Sequence, residues 1–196
     1  LYFNVDSSQA YGSRIVSATL RLRSMPYHIG DISSPFRLEM REIKSFWNVF
    51  TLPADSGDKL QLSTDPVGVY DGAIGATDSI DIAIDSALVR RWLTNSLEQK
   101  YSDNLGVILQ SAGSGVLRSF ESIAATNSNP PVLTIIIETA GVLDTLKGEG
   151  IDNTYLVTST KREAAGRIIL ESGVSVRGKL LFDMSAIPPA SVINHA

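Results

Sequence analysis

Apolar and polar positions alternate along much of this chain, and the alternation predicts strands. From Ile15 to Arg23, Ala18, Leu20 and Leu22 fall on one face while Thr19, Arg21 and Arg23 fall on the other. A period of two lets a strand bury one face and wet the other. Phe36 to Ile43 repeats it, with Phe36, Leu38 and Met40 set against Arg37, Glu39 and Arg41. So does Ser79 to Asp85, where Ile80, Ile82 and Ile84 alternate with Asp81, Ala83 and Asp85. Leu105 to Gln110 and Val132 to Glu138 are more continuously apolar, the pattern of central strands covered on both sides. Pro53 to Gly57 and Thr64 to Gly75, rich in Gly, Pro, Asp and Ser, read as turns and surface loops.

One segment carries helical spacing. In Ser86 to Glu98, Leu88 and Trp92 lie four apart, as do Val89 and Leu93, and Leu97 extends the stripe. Asp85 or Ser86 is placed to cap its start, because a side-chain oxygen there can accept the free amides of the first turn. Many strands with one short helix predict an all-β fold, an antiparallel β-sandwich of jelly-roll type.

After Glu138 the apolar pattern stops, and Thr139 to Gly150 reads as a linker. Asp152 to Ser159, Gly166 to Leu170 and Lys179 to Met184 then read as short strands. An internal repeat supports a boundary near residue 140. Leu181-Phe182-Asp183 answers Tyr2-Phe3-Asn4, and the stretch from Val192 to Ala196 answers that from Ile15 to Ala18. The expected organisation is therefore a domain over 1–139 lacking its opening strands. Residues 140–196 would be a linker and the opening strands of a second copy. Half-covered sheets need completion, which makes Leu1, Tyr2, Phe3, Leu180, Leu181 and Phe182 candidate assembly contacts.

An ordered set of short motifs runs through the same strands. It comprises Ala18-Thr19-Leu20-Arg21-Leu22, then Trp47, then the strand and turn from Ile82 to Trp92. Asn104-Leu105-Gly106-Val107-Ile108-Leu109, Phe120-Glu121-Ser122 and Pro131-Val132-Leu133-Thr134-Ile135 follow. In order and spacing the set resembles the DNRLRE domain family, also classed as carbohydrate-binding module family 96. The second copy is similar at its opening, in Asp144-Thr145 and in Leu180 to Ser185 followed by Ile187-Pro188. The resemblance implies a secreted jelly roll, found in tandem in surface proteins or beside polysaccharide-degrading enzymes, and in some cases polysaccharide binding.

Composition narrows the picture. Hydrophobic residues make up 43% of 196 residues, enough for a sizeable core. A formal net charge of -4, with Lys+Arg 17 against Asp+Glu 21, offers no polybasic surface for nucleic acid. No apolar run has the length of a membrane span. Cysteine is absent, which removes disulfides, thiolate nucleophiles and Cys-based metal sites together.

Candidate chemistry is thin. The two histidines, His28 and His195, lack partners at metal-ligand spacing, and no serine sits in a nucleophile elbow. Asp81 and Asp85 are four apart on a strand, about 13 Å by strand rise. That exceeds the roughly 5 to 9 Å that a hydrolytic carboxylate pair spans. These two, like Glu39 and Glu42, read as outward solubilising groups. Asp65, Asp71 and Asp78 form no compact calcium loop. Gly113-Ser114-Gly115 lacks the Lys-Ser/Thr of a phosphate loop and reads as a hairpin turn. Aromatics remain. Trp47 and Trp92 follow apolar strands and are expected in the core, whereas Tyr27, Tyr70 and Tyr101 lie in loops and are the candidate carbohydrate-binding residues.

No catalytic set, metal or cofactor is expected. The expected function is a non-catalytic structural repeat of an extracellular surface, fibre or matrix protein, with other copies of itself or flanking domains as partners. The alternative is a carbohydrate-binding module of a secreted protein.

Overall fold

The computed structural model describes residues 1–5, 8–53, 56–112, 116–123 and 129–156. These residues form an all-β sandwich of two antiparallel sheets with one α-helix. In chain order the strands are β1 (Tyr2–Val5), β2 (Arg14–Ile29), β3 (Phe36–Glu42), β4 (Gly68–Gly72) and β5 (Ser79–Ala83). After helix α1 (Ser86–Leu97) come β6 (Val107–Ser111), β7 (Leu117–Phe120), β8 (Val132–Thr139) and β9 (Val142–Asp152). The larger sheet runs β1-β9-β8-β2-β5, with β7 paired to the far end of β2; the smaller runs β4-β3-β6.

The alternating segments form strands as their pattern requires. Ala18, Leu20 and Leu22 of β2, Phe36, Leu38 and Met40 of β3, and Ile80 and Ile82 of β5 are all buried. They share one core cluster with Leu88, Val89, Trp92 and Leu93 of α1. Asp85 caps the helix, its carboxylate accepting from the amides of Ala87 (2.6 Å) and Leu88 (3.4 Å). Trp92 is buried as expected, its ring 6.4 Å from that of Phe3.

Several expectations fail for physical reasons. The supposed linker is β9, paired with β8 from Val142 to Glu149 and with β1 from Gly148 to Asp152. The boundary near 140 thus falls within a tight hairpin, whose turn residues Ala140 and Gly141 both have positive φ (51° and 82°). Polar residues disguise β9, because only Leu146 and Gly148 point into the core. Phe3, expected as an assembly contact, is spent in the chain's own core at 6% exposure. Thr64 to Gly75 contains β4, whose inward positions need only small or half-buried side chains.

Gly113-Ser114-Gly115 lies outside the described residues, but the strands flanking it are no hairpin: β6 pairs with β3 and β7 with β2. Leu105 to Gln110 was read as central, yet β6 is the edge of its sheet. β8 is central, though its outer face is only half covered at Val132, Thr134 and Ile136. The strands read at Gly166–Leu170 and Lys179–Met184, with the second copy, fall outside the described residues.

The sheets meet along two seams. At one, the Asp85 amide donates to the Val67 carbonyl at 2.8 Å. At the other, Leu1 and Val107 exchange two bonds of 2.9 Å.

Candidate functional site

Two loops at the Leu1 seam assemble an aromatic hollow. The first follows β3 and carries Ser45-Phe46-Trp47-Asn48. It is tied down by the Lys44 amide donating to the Gln61 carbonyl (2.7 Å) and by the Gln61 amide donating to Ser45 Oγ (2.9 Å). Asn48 turns the chain, its Oδ1 accepting from the Phe50 amide at 2.8 Å. Trp47 is half-buried, and its Nε1 donates to the Leu105 carbonyl at 2.8 Å, which fixes the ring plane.

The second loop leaves α1 through Gln99, at φ 60°, into a short turn over Tyr101–Asp103. Asn104 anchors it. This buried amide donates to the Trp92 carbonyl (3.0 Å) and to Ser96 Oγ (3.2 Å), and accepts from Asn95 (2.9 Å). A buried amide side chain satisfied this way holds its loop to the helix end. Together the loops line an open hollow of about 260 Å³, with Phe46, Trp47, Asn48, Tyr101 and Asp152 among its walls. Phe46 is 77% exposed and Tyr101 50%.

Of the three candidate tyrosines, only Tyr101 reaches this hollow. Tyr27 is exposed near the end of β2, and Tyr70 sits half-buried in β4 with its hydroxyl donating to the Ala73 carbonyl at 2.8 Å. Trp47, expected in the core, is instead part of the site. Phe46 was missed altogether; the aromatic run Phe46, Trp47, Phe50 in a segment without strand period was the available signal. Of the remaining assembly candidates, Leu1 is half-buried at its seam and Tyr2 pairs with Asp152 in β1. Leu180, Leu181 and Phe182 are outside the described residues.

Comparison with known protein families, curated proteins and solved structures finds no match. The site therefore rests on its own geometry.

The acidic candidates have structural partners. Arg21 grips Asp81 with two bonds of 2.7 Å and holds its carboxyl below the usual range. Asp85 is the helix cap. Hydrogen bonds from Arg41 and Arg37 lower the Glu39 carboxyl in the same way, and Arg91 pairs with Glu42 at 2.8 Å. Asp71 pairs with Arg37 at 3.2 Å, and Asp78 accepts from the Gly75 amide at 2.9 Å. Asp65 offers its backbone carbonyl to Ser63 Oγ at 2.7 Å. Among the described residues no three His, Asp or Glu side chains converge as metal ligands, and no helix is long and apolar enough to cross a membrane. His28 donates from Nδ1 to the Pro26 carbonyl at 2.8 Å.

Proposed function

We propose that this chain is a non-catalytic extracellular β-sandwich module that binds polysaccharide at the aromatic hollow. The supporting observation is the meeting of Phe46, Trp47 and Tyr101 around one cavity bordered by Asn48 and Asp152. The flat apolar faces of sugar rings stack on such side chains, and a few polar groups then orient the hydroxyls. Trp47 suits this role because its hydrogen bond to Leu105 presets the ring. The extracellular setting and the polysaccharide class rest on the resemblance to the DNRLRE family. Pull-down against a panel of polysaccharides tests the reading. Phe46→Ala and Tyr101→Ala should each weaken binding by about tenfold, ~1.4 kcal/mol, without unfolding the chain. Binding left intact in the double variant would contradict it.

The second reading, a structural repeat module packed against other copies or flanking domains, is favoured by one surface. Met25, Tyr27 and Ile29 along β2 are exposed, with exposed Leu117 opposite Ile29 on β7. Sedimentation velocity separates the two readings. Self-association lost on Ile29→Glu supports packing through this stripe, and a monomer at all concentrations removes it.

A further inference from the structure

The walls of the aromatic hollow carry a single charged side chain. Asp152 is the only Asp, Glu, Lys, Arg or His among its described lining residues. The neutral polar side chains there are already engaged. Asn48 Oδ1 accepts from the Phe50 amide (2.8 Å), Ser102 Oγ donates to Asp103 (3.4 Å), and Asn104 is spent on the end of α1. Asp152 differs. It is exposed, and it ends β9 opposite Tyr2, where the β1–β9 register shifts. Such irregularities are common beside binding sites, where they re-aim side chains. Among the described residues the Asp152 carboxylate has neither a hydrogen bond nor a salt bridge. The Leu1 α-amino group feels its charge, but that amine donates to the Val107 carbonyl at 2.9 Å, and burial lowers it to about 6. At neutral pH the amine is therefore mostly uncharged, and the carboxylate is left without a counter-charge.

An unpaired carboxylate and the rings of Phe46, Trp47 and Tyr101 favour the same kind of ligand charge. Aromatic faces attract ammonium groups through their negative potential, and a carboxylate does so by Coulomb attraction. A uronate or sulfated sugar would set like charge against Asp152, with no Lys or Arg among the described lining residues to offset it. A neutral sugar would stack on the rings and leave the charge unanswered. We infer that the hollow selects a polysaccharide of amino sugars, an unacetylated amine pairing with Asp152 beside the aromatic rings. The inference rests on the reading of the hollow as a polysaccharide site and adds the class of sugar. Acetylation removes the positive charge and keeps the sugar ring, so the acetylated chain isolates what the charge contributes.

Calorimetric titration at neutral pH compares hexasaccharides of glucosamine, N-acetylglucosamine and a uronate. The glucosamine chain should bind about tenfold tighter than its acetylated counterpart, the combined effect of an exposed ion pair and a cation–π contact. Asp152→Asn should erase that preference and leave the affinity for the acetylated chain unchanged. Asp144→Asn, which removes an exposed carboxylate elsewhere on β9, should leave the preference intact. Equal affinities for the two chains, tighter binding of the uronate, or a preference lost equally in Asp144→Asn would overturn the inference. If another polysaccharide is captured at the hollow and none of the three chains binds, the amino-sugar class falls and the polysaccharide site stands. Capture of no polysaccharide at all removes both.

Discussion

The two seams of this sandwich are built differently. At the β4–β5 seam the Asp85 amide crosses to the Val67 carbonyl, and the chain on either side of the crossing is bonded back into its own sheet, the Val67 amide to Met40 (2.7 Å) and the Ile84 amide to Ala18 (2.9 Å). Gly68 permits the closeness. A Cβ there would lie 2.5 Å from Met40 Cε and 2.6 Å from the Ala83 carbonyl oxygen. At the β6–β1 seam, among the described residues, Leu1 and Val107 make the backbone junction, and beyond them lie a cleft of about 710 Å³ and the aromatic hollow. One seam is closed by backbone contact. The other joins through Leu1 and Val107, and both cavities open beside it.

That contrast can be broken from either side. Trp92 packs against Phe3 of β1 and ties the helix to the loosely joined seam. Trp92→Ala should therefore cost about 3–5 kcal/mol in denaturant unfolding. Gly68→Ala strikes the closed seam. Because the Ala83 carbonyl is backbone and cannot swing aside, the cost should be about 1–3 kcal/mol. Phe46→Ala and Tyr101→Ala remove exposed rings at the open seam, so each should change stability by no more than about 0.5 kcal/mol. A larger loss in either would mean that the hollow is packing, not a site.

The smallest effect concerns acid. Glu39 has its carboxyl lowered chiefly by the hydrogen bond from Arg41 and then by that from Arg37. A depressed carboxylate stabilises the fold above its unfolded value, near 4.5, and that stability is lost as pH falls through the folded value. Glu39→Gln should therefore flatten the fall in melting temperature below about pH 4.5 and leave the slope near neutrality unchanged.

The closed half of the molecule was legible in the sequence because its residues obey local rules. The inward isoleucines of Ser79–Ala83, the β2 alternation and the Asp85 cap each declare their element within a few residues. The open half was not. β9 hides behind Asp144, Lys147 and Glu149 because a strand with one wet face needs few apolar residues. The turn that makes its hairpin is Ala-Gly, not the Asn-Gly that announces such turns. Trp47 looked like core from its place after a strand; only the fold shows that the chain leaves the sheet at Lys44 and carries the ring to the rim. Tyr101 was found because it lies in a loop, and Tyr70 was misjudged by the same reasoning because β4 was not seen.

Hydrogen exchange resolved at single amides compares the seams most directly. The Asp85 amide, bonded across the closed seam, should be strongly protected in the full chain. The Val107 amide, bonded to Leu1 at the single junction of the other seam, should exchange about tenfold or more faster. A Val107 amide protected as strongly as that of Asp85 would contradict the account.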